Sequence, residues 1–501
     1  MEMIKYSWNV YNMNYIIIVV GLLSLLGARL SAHSARGPET EKPVGTVRAY
    51  LDTLEQAGFS GAVLVEFHGK IVISKGYGYS DMLHGRRNSS RTVFDIGSIT
   101  KQFTAAAILK LELEGRLSTD DKLSRFFKNV PGEKSDITIH HLLRHSSGLR
   151  SSIGGDYDSI AETDFIDSVM KSPLMFTPGT AFSYSNIGYS LLAIIIEKVA
   201  GVPYETYLYE NLWRPAGMEQ TGYRRPDFDK ELIATGYYGD DRLWGKPTEK
   251  PWDAGGPYWH LKGNGGILST AEDLFRWNQA LTTDKILSED AITKMHRPRL
   301  RDGEDSASYY AYGWDVHRTS RNTLLLWHNG SNGIFYADFY RYFDEGTTII
   351  VLTNTSNGFQ DTGGEISRTL FDPTYRPVVP IADNESNRSF TDHVIALTIR
   401  EGFEAGAKGL EERKPGVNLL EGRVNSKGYE LLGGGGVSQA VSLLKINVLA
   451  FPASANAYDS LGEGYLVAGD TTLAIEHYRK SLALDATNAN AEKMLKRLKA
   501  K

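Results

Sequence analysis

Strand-forming segments stand at the two ends of a long first region of this 501-residue chain. Residues 61–67 and 71–74 are rich in valine, isoleucine and other apolar side chains and join at His68-Gly69, which is typical of a hairpin. Strand character returns only at residues 324–327, 335–343 and 347–352. Because strands must pair, the sequence predicts an α+β domain: an antiparallel sheet formed by both ends, flanked by helices, with a helical insert between them.

A serine and a lysine stand one helical turn apart in the segment Ser98-Ile99-Thr100-Lys101, at the start of a predicted helix. Side chains at i and i+3 share a helix face, so the Lys101 amine can reach the Ser98 hydroxyl. The same S-x-x-K pattern recurs at residues 168–171 and 442–445, and a serine at a helix start is often only a cap. The pattern therefore needs support from elsewhere in the chain.

Two further motifs give that support, namely Tyr184-Ser185-Asn186 and His328-Asn329-Gly330. With the serine and lysine, in this order, the chain resembles the serine beta-lactamase and penicillin-recognising family. Within it the chain resembles the branch of class C beta-lactamases, D-Ala-D-Ala carboxypeptidases and related carboxylesterases. Supporting stretches lie at residues 94–97, 139–149, 178–179 and 265–270. The resemblance implies a beta-lactamase/transpeptidase-like domain, which we place at residues 40–375.

The resemblance also implies catalytic roles. Ser98 is the nucleophile, and Lys101 can serve as its base if burial lowers the lysine pKa. Tyr184 is the general base in acylation and the acid toward the leaving group, in a duty that it can share with Lys101. The sequence leaves open which of the two groups holds the proton.

Five residues are predicted to bind substrate. Asn186 is expected to orient Lys101 and the substrate amide, since a side-chain amide both donates and accepts. By resemblance, the backbone N–H groups of Ser98 and Ser331 form the oxyanion hole. Gly330 is expected to let the substrate lie against its strand. The remaining two predicted contacts are His328 and Asn329.

His328 is where the sequence departs from class C beta-lactamases, which carry lysine there. A lysine is a permanent cation facing a substrate carboxylate, whereas histidine is mostly neutral at pH 7. The difference favours a peptidase or an esterase over a beta-lactamase. We therefore expect an exported serine hydrolase that cleaves an amide or ester through a Ser98 acyl-enzyme. The alternative is a penicillin-binding sensor, or an interaction protein that uses its C-terminal repeats, with little turnover.

Neither a metal nor a cofactor is expected. The chain has no cysteine, and His141 and His145, spaced to share zinc, have no third ligand at convincing spacing. A net charge of -5 gives no reason to expect nucleic acid, so the predicted substrate is a small molecule or peptide. Four aromatic residues either line the cleft or pack the insert: Trp252, Tyr258, Trp259 and Tyr312.

The C-terminal region is repetitive. After a polar, proline-punctuated linker at residues 376–390, matching residues recur every 34 positions, as at Gly428 and Gly462 or Ala440 and Ala474. This is the tetratricopeptide period, and the second copy resembles that repeat closely. Residues 391–501 are therefore predicted to form tetratricopeptide-like helical repeats, which could bind a protein partner or mediate self-association.

The first 34 residues resemble a secretory signal peptide, with an apolar run from Tyr15 to Leu26 followed by small residues. The expectation is export to the periplasm. A retained N-terminal membrane anchor is the alternative, although the run is shorter than a membrane span requires.

Overall fold

The computed structural model describes residues 37–239, 241–252, 255–297, 300–301, 308–485 and 488–499. The predicted signal peptide at residues 1–34 lies outside the described residues. The centre of the molecule is an eight-stranded antiparallel sheet. Its strands, from edge to edge, are Lys70–Tyr77, Gly61–Phe67, Thr347–Thr353, Tyr336–Tyr342, Leu324–Ser331, Asp315–Arg318, Ser308–Tyr310 and Leu300–Arg301.

The sheet closes the domain by pairing its first strands with its last. Gly61–Phe67 lies between its hairpin partner and Thr347–Thr353, with Val63 opposite Val351. The hairpin turns at His68 and Gly69, both of which have positive φ. The predicted α+β architecture, with a sheet built from both ends of the domain, is confirmed.

Each face of the sheet packs against its own helices. Gly37–Gln56 and Thr362–Phe371 cover one face around buried Leu51 and Ile366. On the other face, Thr100–Leu113, Asn186–Ala200 and Ala271–Ala280 share the larger core. The helix Thr100–Leu113, which follows Ser98, is buried almost all round. Its position is therefore fixed by packing on every side.

The insert is mainly helical but also contains short strands. Its helices are Ile139–Leu143, Glu162–Lys171, Asn186–Ala200, Tyr204–Leu208, Arg214–Ala216, Ala271–Ala280 and Glu289–His296. A small three-stranded sheet joins Gly236–Tyr238, Leu243–Gly245 and Thr355–Ser356, and Phe94–Asp95 pairs with Leu268–Ser269. These strands have two or three residues each, too few to show periodicity in the sequence.

Among the described residues, no single helix is both long and apolar enough to cross a membrane. The helices Asn186–Ala200 and Tyr204–Ala216 meet that criterion only together, and they are bent by 75°.

The region after the sheet domain is helical throughout its described part. Its helices are Glu385–Glu401, Phe403–Glu411, Glu421–Gly433, Val437–Ala450, Ala455–Val467, Thr471–Leu484 and Ala489–Lys499. The first begins inside the predicted linker, where the Asn384 side chain accepts a bond from the Asn387 amide and caps it. Helices that start at 421 and 437 recur at 455 and 471, an offset of 34 residues each time.

Candidate active site

Ser98 and Lys101 are in direct contact. Ser98 lies in the 3-10 turn Gly97–Ile99, just before the buried helix, and its Oγ is 2.9 Å from Lys101 Nζ. The amine also donates to the backbone carbonyl of Asn264 at 2.7 Å. Lys101 is fully buried, and this burial lowers its pKa well below the usual range. A neutral amine next to a hydroxyl can accept the hydroxyl proton.

The other two S-x-x-K matches lack this arrangement. Ser168 and Lys171 are exposed on a helix, where the lysine faces Asp167 at 4.0 Å. Ser442 donates to a carbonyl of its own helix at 3.0 Å, and Lys445 lies over the ring of Phe403. All three segments have the same spacing of serine and lysine. The segment at residues 98–101 differs because its serine and lysine are in contact in a buried site.

Tyr184 lies beside the serine and lysine. Its ring centroid is 4.7 Å from Lys101 Nζ. Its hydroxyl oxygen is buried and has no hydrogen-bond partner among the described residues. Burial raises the pKa of the phenol above its usual range, and the nearby Ser98 side chain opposes this shift only in part. The site thus places a phenol that resists deprotonation beside an amine that loses its proton more readily than usual, which favours Lys101 as the group that takes the serine proton.

His145 holds the segment that carries Tyr184. Its Nδ1 accepts a hydrogen bond from the Ser185 amide at 3.1 Å, and its ring centroid is 4.2 Å from that of Tyr184. Ser185 in turn caps the helix Asn186–Ala200 by accepting a bond from Gly188 N at 3.2 Å. Sequence reasoning considered His145 only as a zinc ligand, although it lies inside one of the family-like stretches.

His141, the other half of that zinc hypothesis, has a different partner. Its Nδ1 accepts a bond from the Thr138 amide at 3.3 Å, within the cap of the helix Ile139–Leu143. Within the described ranges, no three histidine, aspartate or glutamate side chains are grouped to hold a metal ion.

The Asn186 side chain does not orient Lys101 as the motif suggests. The Asn186 backbone N–H donates to Ser151 O at 2.9 Å, and the side-chain Oδ1 is buried without a partner in the described part of the chain. The Asn264 carbonyl holds the lysine instead, and the Asn264 side chain is fixed by a 2.9 Å bond to Ser190 Oγ. Sequence reasoning missed Asn264, although it immediately precedes the family-like stretch 265–270.

Two glycines bring the nucleophile turn, which is the 3-10 turn Gly97–Ile99 that contains Ser98, against the strand Leu324–Ser331. A Cβ on Gly330 would lie 2.0 Å from Ile96 O and 2.7 Å from Ser98 N. A Cβ on Gly97 would lie 2.4 Å from Ser331 N. The backbone nitrogens of Ser98 and Ser331 are therefore neighbours, which is what a two-donor oxyanion hole requires. Gly330 thus makes room for the nucleophile turn, where the sequence suggested room for substrate.

Asp95 and Asn332 join the same two elements. The Asp95 carboxylate accepts bonds from Gly97 N and from Asn332 Nδ2, each at 2.8 Å. Burial raises the pKa of this carboxyl to about 6. These bonds fix the nucleophile turn to the end of the strand, and neither residue was among the sequence-predicted site residues.

His328 is buried and neutral. Its Nδ1 lies 2.5 Å from the Asn329 carbonyl, to which only an N–H can donate, so Nε2 accepts from the Tyr310 hydroxyl at 3.0 Å. Burial, and to a smaller extent the positive charge of a protonated Lys101, lowers the pKa of His328 to about 3. Tyr310, from a three-residue strand, was not found by sequence reasoning.

Asn329 was predicted to contact substrate, but the structure does not bring its side chain to Ser98. Successive residues of a strand point to opposite faces, so Asn329 points away from the face that carries His328 and Gly330. Its side-chain amide donates to Tyr336 Oη at 3.4 Å, and that hydroxyl donates to Asp338 at 3.0 Å.

The aromatic residues considered for the cleft are mostly engaged within the insert. Trp259 is buried, with Lys262 Nζ 4.4 Å from its ring centroid. The ring centroids of Trp252 and Tyr223 are 5.8 Å apart. Tyr312 Oη lies 2.5 Å from His140 Nδ1. Tyr258 uses its carbonyl to accept bonds from the backbone of residues 261 and 262.

Comparison with known proteins agrees with this fold. The Beta-lactamase family model matches residues 45–369, most of the chain, and the chain belongs to that family. A penicillin-binding protein of Bacillus subtilis is 32% identical over 327 residues, which are 61% of this chain and 72% of that protein. A second, described as a putative penicillin-binding protein of the same species, is 33% identical over 56% of this chain and 68% of its own length.

Solved structures give the same result. An octameric penicillin-binding protein homologue from Pyrococcus abyssi is 27% identical, with a TM-score of 0.58, over 71% of this chain and 81% of its own. A D-amino acid amidase from Ochrobactrum anthropi shares the fold, with a TM-score of 0.55 at 22% identity, over 66% of this chain and 97% of its own. The protein is thus a serine hydrolase of the beta-lactamase-like superfamily.

Proposed function

We propose that this chain cleaves amide or ester bonds through an acyl-enzyme formed on Ser98. The observation that carries the proposal is the 2.9 Å contact between Ser98 Oγ and a fully buried Lys101 amine. Lys101 takes the hydroxyl proton while Oγ attacks the substrate carbonyl. The backbone N–H groups of Ser98 and Ser331 stabilise the oxyanion, because they are fixed before the reaction.

Tyr184 and Lys101 complete the proton path. The leaving group departs with a proton returned by Lys101, directly or through the Tyr184 phenol, and water then attacks the acyl-serine. Asn186, whose side-chain Oδ1 is buried and unpartnered among the described residues, offers an acceptor for a substrate amide N–H.

A peptidase or esterase is favoured over a beta-lactamase. His328 occupies the position of the beta-lactamase cation, and its low pKa keeps it neutral at pH 7. A substrate carboxylate there would gain a hydrogen bond but no ion pair. The relatives named as penicillin-binding proteins and the D-amino acid amidase fit this range of substrates.

Hydrolysis of p-nitrophenyl esters and D-amino-acid amides tests the proposal, with parent, Ser98→Ala and Ser168→Ala compared. Ser168 is a matched control, since it belongs to an S-x-x-K segment without the lysine contact. We expect turnover by the parent and by Ser168→Ala, and none above background by Ser98→Ala. Retained turnover in Ser98→Ala would contradict the mechanism. Acylation of Ser98 without release would favour a penicillin-binding sensor.

We propose further that the C-terminal helices are tetratricopeptide-like repeats. The support is a repeated internal contact: a Cβ on Gly428 would lie 2.9 Å from Leu444, and one on Gly462 would lie 3.1 Å from Tyr478, each 16 residues along the chain. A groove of about 800 Å³ on this segment, lined by Tyr458, His477 and Lys480 among others, offers a surface for a peptide or a second copy. Light scattering distinguishes the two possibilities. A monomer indicates that the groove binds a different protein, whereas a dimer supports self-association.

Export to the periplasm, with removal of residues 1–34, is also a proposal, supported by the apolar run and small residues of that segment. Sequencing the N-terminus of the protein recovered from a bacterial periplasm tests it. A start near residue 35 agrees with the proposal, and an intact N-terminus held in the membrane fraction contradicts it.

A further inference from the structure

A tight turn at residues 155–158 carries an acidic residue to the mouth of the cleft. Asp158 N donates to Gly155 O at 3.0 Å, and the Asp158 carboxylate accepts from Gly155 N at 2.7 Å. These two bonds close the turn and hold Asp156 and Tyr157 at its tip.

Contacts on both sides place this turn next to the catalytic residues. Before the turn, Ser151 O accepts from the Asn186 amide at 2.9 Å, and a Cβ on Gly154 would lie 2.5 Å from the His260 ring. Beyond Asp156, the Tyr157 ring is 6.3 Å from Trp244. Tyr157 is also near Asn332, which follows the oxyanion residue Ser331. The turn therefore spans the cleft from Asn186 to the end of the Leu324–Ser331 strand.

The Asp156 carboxylate has no side-chain hydrogen bond or close ion pair within the described part of the chain, and it is only partly exposed. The titratable groups that act on it are Lys101, His260 and Asp158. Burial lowers the pKa of both Lys101 and His260, which weakens the positive charge that each can offer to Asp156.

The two histidines that pack against Tyr184 offer no positive charge. His145 and His328 are buried, and their pKa values lie well below 6.5. A substrate carboxylate would therefore meet neutral groups and a like charge, whereas a substrate ammonium would meet Asp156. Electrostatic complementarity of this kind selects among substrates more than it adds affinity.

We propose that Asp156 is a specificity-determining residue that binds a protonated amine of the substrate close to the scissile carbonyl. The preferred substrates are then amides or esters of amino acids with a free amino group. This inference rests on the proposed acyl-enzyme function and adds the substrate class. Asp156 takes no part in bond-making, and its carboxylate pairs with the ammonium while Ser98 is acylated.

Two pairs of compounds that differ in an amine test the inference. Ampicillin carries a free amine that benzylpenicillin lacks, and D-alanine p-nitroanilide carries one that propionic p-nitroanilide lacks. Rates of acylation by the first pair are measured by intact mass, and kcat/KM by release of nitroaniline from the second. The proteins are the parent, Asp156→Asn and the control Asp158→Asn, in which the amide oxygen can still accept from Gly155.

We expect the parent to favour the amine-bearing member of a pair by about tenfold, a typical effect of one partly buried ion pair. Asp156→Asn should lose that preference, so that its rates on the two members of a pair agree within about twofold. Asp158→Asn should keep the preference. Equal preference in parent and Asp156→Asn, or an equal loss on both members, would overturn the inference. Absence of any acylation or hydrolysis would instead defeat the proposed function, and this inference with it.

Discussion

At the residue scale, burial sets the protonation state of the groups around Ser98. It lowers the pKa of Lys101, His145 and His328, and it raises that of Tyr184. The two histidines and the phenol are therefore held in their neutral forms. The lowered pKa of Lys101 makes the neutral amine, the form that accepts a proton from Ser98, easier to reach.

Replacement of Lys101 by methionine should remove the base while conserving volume. We expect the rate of Ser98 acylation to fall by about a hundredfold or more, as is typical for loss of a general base. In the parent, the rate should fall as pH is lowered through the depressed lysine pKa, because only the neutral amine accepts a proton. Quenched-flow mass spectrometry measures both. Lys171→Met, in an exposed S-x-x-K segment, is the control. A Lys101→Met rate within a few-fold of the parent would contradict the assignment.

Asp338 provides a pH-dependent test of stability. Burial raises its pKa from 3.8 to about 8, so the folded chain keeps a proton that the unfolded chain releases. The stability from this group is fully present below pH 4 and is lost as pH rises toward 8. Asp338→Asn, which keeps an acceptor for the Tyr336 hydroxyl, removes that loss.

Urea unfolding at pH 5 and pH 8.5 should therefore show Asp338→Asn gaining on the parent as pH rises, by on the order of a few kcal/mol. The exposed change Asp164→Asn should show no such trend. A constant difference between Asp338→Asn and parent at the two pH values would contradict the raised pKa.

The sequence could predict only part of the site at this scale. Ser98, Lys101 and Tyr184 belong to short motifs whose spacing carries their chemistry. Asn264 acts through its backbone carbonyl, 163 positions from Lys101, so its side-chain type gives no signal. Tyr310 and His145 depend on long-range packing in the same way.

At the element scale, the nucleophile turn and the Leu324–Ser331 strand work as one unit because their backbones touch. Gly330→Ala should force them apart, since the added Cβ would meet Ile96 O at 2.0 Å. We expect acylation to fall at least about a hundredfold, as for loss of an oxyanion donor, in a protein that remains folded by circular dichroism. Gly132→Ala, where nothing lies within 4 Å, should acylate like the parent. Normal acylation by Gly330→Ala would show that the close approach is unnecessary.

Element prediction succeeded where a segment was long enough to show its period. The strands at residues 61–67 and 347–353 fall close to their predicted positions, and the C-terminal region forms helices as predicted. The edge strands at 300–301 and 308–310 have two and three residues, which leaves no alternation to detect.

At the scale of the whole molecule, the sheet domain and the helical segment have separate cores. The clusters around the sheet extend no further than Leu370 among their buried members, and those of the helical segment begin at Val394. The segment between them is bonded to the sheet domain, as in the 3.1 Å bond from Asp383 N to Asn357 O. Each part therefore buries its own apolar surface.

A variant that ends at Asp383 should consequently fold and acylate Ser98 at a rate within about threefold of the full chain. Its helical circular dichroism should fall, because the C-terminal helices are absent. Acylation kinetics of the two proteins, side by side, measure this. Loss of acylation in a folded, truncated protein would show that the helical segment supports the site directly.

The proposed function depends on an acyl-enzyme formed by Ser98 with Lys101 as its base. Peptide mapping by mass spectrometry, after exposure to penicillin or an activated ester, measures that step directly. We expect one adduct per chain, on the peptide that contains Ser98. The adduct should be absent from Ser98→Ala and unchanged in Ser168→Ala and Ser442→Ala. An adduct on any other peptide, or one that persists in Ser98→Ala, would contradict the proposed function.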